Sequence, residues 1–430
     1  MAGEQVDVVV VGAGFAGLSA ALSLKARGFS LRVLEARSRV GGRVEPIEGP
    51  GGQRWDAGGQ FLCTDMPELM ARAKCYGLET VETRWQGEPH IVPAPRAEDG
   101  CEDLDALFEA LDEIDPADPA LDGLSAADWL ARREESPEAK RRFASMVQGL
   151  WCLPPDIIPF WHLAESDQRN TAEDSELQFF LKDGMATLAE RMADDLGAAL
   201  SLDTPVARIE THGSGVTIHS SRGRIEARHV IVAVPPVKAR AITYAPPLPS
   251  PLATALSAWR SGMVIKILIL YRRRFWPESL SSGLMWRDRQ GLFLYDGSID
   301  DARAGFIAFI GGSLAADWHQ RDEGFMRAEI LGRLSAVLGP QGAEPTAFLV
   351  RDWIDDRWSG GGYSDVIIDA AARGAEDRLR AGTAEITFAS SELSPSFPTY
   401  IEGAIIAGEE AAERAASALS GSNERAATAS

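Results

Sequence analysis

The sequence is poor in cysteine and contains no long apolar run. Its 430 residues include four isolated cysteines, without the paired spacing of a zinc or dithiol site. These are Cys63, Cys75, Cys101 and Cys152. We expect reduced thiols in a cytoplasmic protein. No stretch approaches the roughly 20 apolar residues of a membrane span, and no basic segment precedes the first apolar strand, so no membrane contact is expected.

Positive charge is also scarce, because 43 Lys and Arg residues stand against 63 Asp and Glu residues, a net charge of −20. This balance argues against a nucleic-acid partner, whose phosphates such a surface would repel. An acidic surface mildly favours cationic small molecules, although it is usually only a solvated surface. The chain length allows two or three domains.

The most informative stretch is VDVVVVGAGFAGLSAALSLKARGFSLRVLEAR, near the N-terminus. It predicts a strand over residues 6–11, an Ala/Leu-rich helix over 18–27 and a second strand over 31–34. A GxGxxG motif joins the first strand to the helix and consists of Gly12, Gly14 and Gly17. The order of these parts is typical of an α/β sheet of the Rossmann type.

Each part of this stretch has a physical role in binding a dinucleotide. Gly12 makes the tight turn, Gly14 lets the backbone approach a pyrophosphate, and Gly17 allows the helix to pack closely. Glu35 ends the second strand about 20 residues later, where its carboxylate can accept hydrogen bonds from ribose hydroxyls. A lone GxGxxG would be weak evidence, but the ordered set predicts dinucleotide binding.

The next glycines indicate which dinucleotide is bound. In RSRVGGRVEP, Arg37 is followed by a double glycine that includes Gly42 and by Arg43, which suits a second approach to the pyrophosphate with Arg43 as its charge partner. A basic turn is the alternative. The arrangement resembles the FAD-binding entry of the flavin-dependent amine oxidase family, in particular its monoamine oxidase-like members. The stretch WDAGGQFL, with Gly58 and Gly59, is similar to the glycine pair that lies beside the flavin in that family.

The resemblance implies a discontinuous chain with a Rossmann-type FAD-binding domain interleaved with a mixed α+β substrate domain. The FAD-binding domain is predicted over residues 1–77, 183–255 and 356–420. The substrate domain is predicted over residues 78–182 and 256–355, and residues 421–430 form a polar tail. Val206 matches the family position whose backbone contacts adenine.

One lysine lies inside an apolar strand. Because side chains alternate in VIKILILY, Lys266 shares a face with Val264 and Leu268. Burying a charge is costly, so the residues alone favour an edge strand from which the lysine reaches water. The resemblance implies instead the family's lysine that reaches toward flavin N5 through a water.

The stretch WSGGGYS places three glycines between Trp358 and Tyr363. A surface loop is one interpretation. The other is a backbone that must pass close to something flat and large. The resemblance implies that this backbone passes the isoalloxazine edge. Gly362 stands where covalently flavinylated monoamine oxidases carry a cysteine bonded to the flavin, so FAD is expected to be bound non-covalently.

The C-terminal stretch FASSELSPSFPTYIEGA resembles the last flavin contacts of the family. Glu392 belongs to it, and the backbone N–H near Ile401 would face O2 of the flavin. Tyr363 and Tyr400 fall on the paired aromatic positions that flank the substrate amine. Two buried core tyrosines are the alternative. Ser390 and the Ser396–Phe397 pair depart from the common family pattern and leave the substrate open.

The resemblance implies oxidation of a small amine to an imine, which water hydrolyses to a carbonyl compound and ammonia or an amine. Dioxygen would reoxidise the flavin to give hydrogen peroxide, assisted by Lys266 and its water. Three alternatives remain: a dehydrogenase with a non-oxygen acceptor, a related C–C desaturase or oxidase, and a non-catalytic flavin-bound binding protein.

Two further residues are weighed for the site. His162 is the nearest candidate for a side-chain general base, but a histidine flanked by aromatics is more often structural. Arg84 is the only arginine considered for binding a substrate carboxylate, and nothing supports it, so a simple amine is expected rather than an amino acid. Which amine is used, and whether the chain forms a homo-oligomer, is left open.

Overall fold

The computed structural model describes residues 4–84, 89–96, 103–172, 175–213 and 215–428, with side chains described up to residue 420. The strands are β1 (Glu4–Val11), β2 (Leu31–Leu34), β3 (Pro46–Glu48), β4 (Arg54–Asp56), β5 (Thr80–Glu82), β6 (His90–Val92), β7 (Phe179–Leu181), β8 (Leu200–Ser201), β9 (Val206–His212), β10 (Gly215–Ser220), β11 (Gly223–Val232), β12 (Thr243–Ala245), β13 (Trp259–Ser261), β14 (Val264–Tyr271), β15 (Leu284–Trp286), β16 (Leu292–Asp296), β17 (Ala304–Gly311), β18 (Ala347–Asp352), β19 (Asp365–Ile367) and β20 (Ile386–Phe388).

The helices follow the same chain order. They are α1 (Phe15–Ala26), α2 (Pro67–Cys75), α3 (Asp103–Asp112), α4 (Ala126–Ala131), α5 (Pro137–Leu150), α6 (Phe160–Gln168), α7 (Met185–Asp194), α8 (Pro236–Ala239), α9 (Ser250–Ser257), α10 (Gly312–His319), α11 (Glu323–Leu338), α12 (Ala375–Ala381) and α13 (Ile401–Thr428).

The first sheet carries the predicted Rossmann-type core. Its strands lie in the order β12-β9-β10-β11-β1-β2-β8, and β20 pairs with β11. The pairs β1–β2, β1–β11 and β11–β20 are parallel, as the continuous apolar runs predict. The long strand β11 pairs antiparallel with β10 and parallel with β1.

The second sheet lies in the order β18-β14-β17-β16-β15-β6. Its strand β14 is central and pairs antiparallel with β17 and β18 over nearly its whole length. Every residue of β14 is buried, and Lys266 is 2% exposed. The edge position that the residues alone favoured for Lys266 is therefore wrong.

The two faces of β14 meet different surroundings. Its isoleucines pack into an apolar cluster with residues of β15–β17, α10 and α11. On the other face, Leu268 packs on Trp55, and Val264 packs near Trp353 and Tyr363. Since side chains alternate along a strand, Lys266 shares this second face and is directed toward the segments around residues 55 and 360.

Other parts of the chain bear on the composition-based expectations. Cys63, Cys75 and Cys152 are free thiols, and Cys101 lies outside the described residues. Among the described residues, no helix combines the length and apolar character that crossing a bilayer requires. The predicted polar tail continues α13, which runs through residue 428. The two-domain boundaries stay a prediction.

Candidate active site

The glycine loop between β1 and α1 has two kinds of glycine. A Cβ on Gly12, whose φ is +102°, would lie 2.5 Å from the carbonyl oxygen of Ala233, and a Cβ on Gly17 would overlap the carbonyl of Gly12. These two glycines are needed for the fold itself. A Cβ on Gly14 would meet only the Cα of Gly42, at 3.8 Å. The face of Gly14 is therefore open to the adjoining cavity.

Glu35 closes this loop from the end of β2. Its carboxylate accepts hydrogen bonds from the backbone N–H of Ala13 at 2.7 Å and of Arg37 at 2.8 Å. Burial raises the pKa of the Glu35 carboxyl above its usual value, and the two N–H groups oppose that shift. The residue lies where the sequence predicts contact with a ribose.

A long cavity runs from the glycine loop to the two predicted aromatic residues. Twelve of the predicted site residues line it. They are Gly12, Gly14, Glu35, Arg37, Gly42, Arg43, Gly59, Val206, Trp358, Tyr363, Tyr400 and Ile401. Residues predicted from four distant stretches of the sequence thus share one cavity.

The other five predicted site residues do not line the cavity. They contact residues that line it or residues that lie near it. Gly17 packs on Gly12, and Glu392 binds Arg43. The carbonyl of Gly58 accepts a hydrogen bond from Lys266. These five are Gly17, Gly58, Lys266, Gly362 and Glu392.

Arg43 is bound by protein groups in this structure. Its guanidinium forms a bidentate ion pair with Glu392, at 2.5 and 3.1 Å, and donates to the Tyr363 carbonyl at 2.9 Å. Burial alone would raise the pKa of the Glu392 carboxyl, but the Arg43 charge and the hydrogen bonds to the carboxylate together outweigh burial and hold that pKa below its usual value. Burial and the Glu392 charge raise the pKa of the neighbouring Asp365 to about 7. The predicted pairing of Arg43 with a pyrophosphate stays a prediction.

The three glycines before Tyr363 meet protein rather than open space. A Cβ on Gly360, whose φ is +88°, would lie 2.9 Å from Ser261 Oγ, and one on Gly361 would lie 2.5 Å from the Gly262 carbonyl oxygen. A Cβ on Gly362 would overlap Val264. The close backbone approach exists, but its neighbour is the chain around β13 and β14. The predicted approach to a flavin ring stays a prediction.

Lys266 is enclosed by neutral acceptors and an aromatic ring. Its Nζ donates to the Gly58 carbonyl at 2.8 Å and to Gln60 Oε1, and it lies 5.3 Å from the centre of the Phe309 ring. Burial lowers the pKa of Lys266 to about 7, and the charge of Asp56 opposes this shift. The ammonium can therefore release its proton near neutral pH.

The two tyrosines line the same cavity from different elements. Tyr363 donates its hydroxyl hydrogen to the Gly149 carbonyl, and its ring meets Phe309 edge to face at 6.3 Å. Tyr400 donates to Glu176 Oε1 at 3.1 Å, and its ring meets Phe397 edge to face at 5.9 Å. Both hydroxyls are hydrogen-bonded, as those of core tyrosines would also be, and both residues line the cavity. Their place beside a substrate amine stays a prediction.

His162 and Arg84 do not line the cavity. His162 is 3% exposed and packs edge to face on Trp259. Burial and the Arg169 charge lower its pKa to about 3, so it stays neutral, as a structural histidine would. Arg84 pairs with Glu278 at 3.1 Å on the surface.

Comparison with known proteins identifies the family. Residues 15–416 match the model of the flavin-containing amine oxidoreductases. The chain belongs to this family.

Relatives in the family differ in substrate and electron acceptor. A putrescine oxidase of Kocuria rosea is 30% identical and matches over 94% of this chain and 94% of its own length. An L-amino acid dehydrogenase of Synechocystis is 26% identical over 95% of this chain and 94% of its own. The solved cyclohexylamine oxidase of Brevibacterium oxydans is 30% identical, with a TM-score of 0.89 over 96% of this chain and 99% of that one. The chain has their Rossmann-type fold with a substrate domain.

The family's cofactor is FAD, and the residues of the cavity fit it. The open face of Gly14 leaves room for a pyrophosphate at the start of α1, whose first turn receives no side-chain cap. Glu35 stands at the end of the neighbouring strand β2, within reach of a ribose. The protein is thus a flavin-dependent oxidoreductase acting on CH–NH groups.

Sequence reasoning missed the surroundings of Lys266. Asp56 and Gln60 lie in WDAGGQFL, where only the glycines were used. An acid and an amide beside a glycine pair were a readable signal. Phe309 gave none, because its place beside Lys266 follows from the register of β14 and β17.

Proposed function

We propose that the protein oxidises a small, apolar amine to an imine, with FAD bound non-covalently and dioxygen as the acceptor. The observation that carries the proposal is that Tyr363 and Tyr400 line the same cavity as the glycine loop. Two aromatic rings can hold an amine by its apolar body and by cation–π attraction. Bound FAD supplies the hydride acceptor and the reaction with oxygen.

Aromatic side chains beyond Tyr363 favour an apolar substrate. Phe309 meets Tyr363, Tyr295 stacks on Phe309 with ring centres 5.7 Å apart, and Phe61 lies 5.1 Å from Tyr295. A chain of rings next to the cavity disfavours a strongly hydrated group such as a carboxylate.

The arginines that line the cavity support an amine over an amino acid. Arg37 is bound to Asp356 and Arg43 to Glu392. Arg357 stacks over the Trp358 ring at 4.5 Å. Arg37 and Arg43 are therefore already neutralised by carboxylates, and Arg43 also donates to the Tyr363 carbonyl, so neither is available to pair with a substrate carboxylate beside the tyrosines.

Lys266 supports dioxygen as the acceptor. A buried ammonium with a pKa near neutrality can stabilise negative charge that develops beside it and can donate a proton from Nζ. The dehydrogenase relative from Synechocystis favours a second candidate, in which the same residues bind the amine and electrons pass to another acceptor.

Gly362 supports non-covalent FAD. It offers no thiol before Tyr363, and a side chain there would be directed at Val264. The nearby thiol of Cys152 has its pKa raised to about 12 by burial, so it stays protonated and unreactive. Trichloroacetic acid precipitation of the yellow protein should release all the flavin into the supernatant.

The tyrosine assignment is tested with Tyr400→Ala and Tyr400→Phe. Loss of the ring should raise the amine KM roughly tenfold, since cation–π and stacking contacts are removed. The phenylalanine variant loses only the hydroxyl contacts, which are with Glu176 and with the Asn170 side-chain amide, and should stay close to the wild-type KM. Equal KM values for the wild type and the alanine variant would remove Tyr400 from the substrate site.

Readmitting air to the amine-reduced protein distinguishes the two acceptors, because only an oxidase regains its colour and forms hydrogen peroxide.

A further inference from the structure

Within the described parts of the chain, no hydrogen-bond partner of the Lys266 ammonium carries a formal negative charge. It donates to the Gly58 carbonyl and to the side-chain amide of Gln60, both neutral, while the residue is 2% exposed. Withdrawing an ammonium from water is costly unless a counter-charge stabilises it. The counter-charge of Lys266 must therefore act through space.

The strands on either side of Lys266 do not supply it. In register with Lys266 are Phe309 on β17 and Arg351 on β18. Phe309 offers only its ring face. Arg351 is cationic and is itself neutralised by Glu45 and Asp356, each at 2.8 Å.

A carboxylate is fixed on the facing segment. Asp56, at the end of β4, accepts hydrogen bonds from the backbone N–H of Met185 at 3.1 and 3.2 Å. Met185 begins α7, so the helix dipole also stabilises the carboxylate there. Gly184 has φ +82°, and a Cβ on it would lie 3.2 Å from Asp56 Oδ1. The glycine thus leaves room for the carboxylate beside the helix.

Two other groups act near Asp56, and one of them is Arg54, whose charge also lowers the pKa of the Asp56 carboxyl, but less than the charge of Lys266 does. Arg54 forms a bidentate pair with Glu190, at 2.7 and 2.9 Å. Burial and the Asp56 charge hold the pKa of the Tyr295 phenol well above its usual value, so Tyr295 stays neutral.

We propose that Asp56 is a positioning residue that acts through Lys266: fixed at the start of α7, its carboxylate holds the buried ammonium in its protonated form against Gly58 and Gln60. The inference rests on the proposed function only for the role of Lys266 in the reaction with oxygen. Burial lowers the pKa of Lys266 to about 7 and raises that of Asp56 to about 6, and each charge limits the shift of the other. Without the Asp56 charge, Lys266 would lose its proton at a lower pH.

The composition of the chain makes a direct test practical. Lys266 is one of six lysines, the others being Lys25, Lys74, Lys140, Lys182 and Lys238. In FAD-loaded protein labelled with 13C at the lysine ε-carbon, the Lys266 signal is assigned by its loss in Lys266→Met. Asp56→Asn should lower the pH midpoint of that signal by roughly one unit or more. Asp183→Asn, an exposed acid beside α7, is the matched control and should leave it unchanged. An unchanged midpoint in Asp56→Asn overturns the proposal.

A second measurement applies if Asp56→Asn does not fold. In FAD-loaded Lys266→Met, the Asp56 carboxylate loses its counter-charge, so its pKa should rise above about 6. Infrared difference spectra over pH should then show one additional protonated carboxyl near neutrality. Identical carboxyl titrations in the variant and the wild type would contradict the pairing.

Reoxidation of dithionite-reduced protein by air distinguishes the two proposals. If Asp56→Asn shifts the Lys266 midpoint but reacts with oxygen as the wild type does, the pair stands and the role of Lys266 with oxygen fails. If both change, Asp56→Asn should have no further effect on reoxidation in a Lys266→Met background, because Asp56 acts through Lys266.

Discussion

The glycine-loop end of the cavity and its tyrosine end are built in different ways. At the first, one continuous stretch of about 30 residues supplies the strand, the turn, the helix and the acid. The predicted contacts with the dinucleotide there come from backbone N–H groups that face an open space. At the second, Lys266, Tyr363 and Tyr400 come from a central strand, a glycine-rich segment and the start of α13. A site built from backbone groups depends on residues that are close together in the sequence. A site built from side chains depends on how segments that are distant in the sequence pack together.

The largest effect is expected from Gly17→Ala, which breaks the glycine-loop end. The new Cβ would overlap the Gly12 carbonyl, a backbone group that cannot move away cheaply. The variant should lose roughly 1–3 kcal/mol of unfolding free energy and fail to retain FAD. Chemical denaturation measures the first loss and the ratio of visible to ultraviolet absorbance the second. Wild-type stability would contradict the packing role of Gly17.

At the same loop, Gly14→Ala tests whether a glycine is needed for FAD binding rather than for folding. Its Cβ meets only Gly42 Cα at 3.8 Å, and its φ of −74° suits alanine. Stability should fall by less than about 1 kcal/mol, as for a weakened helix N-cap. FAD affinity should fall roughly tenfold or more, since the methyl group takes pyrophosphate space. Unchanged FAD affinity in a titration of the apoprotein would show that the pyrophosphate does not lie there.

Lys266→Met tests the tyrosine end and should leave the glycine-loop end intact. We expect FAD to be retained, because Lys266 does not line the dinucleotide part of the cavity. Oxygen should reoxidise the reduced protein roughly 100-fold more slowly, as when a positioned acid and charge are removed. Stopped-flow absorbance measures the rate. A rate equal to that of the wild type would show that Lys266 does not assist the reaction with oxygen.

The last prediction concerns His162, which lies outside both ends. Its pKa is about 3 in the folded state against 6.5 for a histidine in the unfolded chain, so the unfolded state binds the proton first and stability falls as pH drops below 6.5. His162→Gln should remove about 2 kcal/mol of that loss near pH 5. The exposed His90→Gln is the control. Parallel stability curves for wild type and His162→Gln would show that His162 is not held neutral.

The same contrast explains what the sequence could predict. The two strands and the helix of the first 35 residues are confirmed, because each has a local cause, although the helix begins at Phe15 rather than at residue 18. The interpretation of Lys266 as an edge residue fails, since only strand pairing decides which strand is central. The neighbours of Gly362 could not be read either, because Val264 reaches it through a contact of nearly 100 residues' separation. The predicted place of Gly362 beside the flavin came from the family resemblance and not from the residue pattern, and it stays a prediction.

The most direct test of the central claim is anaerobic mixing of the FAD-loaded protein with a panel of amines, followed in the visible flavin band. The panel should contain apolar primary amines, secondary amines, diamines and amino acids. We expect rapid bleaching by apolar amines, weak or no bleaching by amino acids, and recovery of the band when air is admitted. A band that no amine bleaches, while dithionite still reduces the flavin, would contradict amine oxidation at this site.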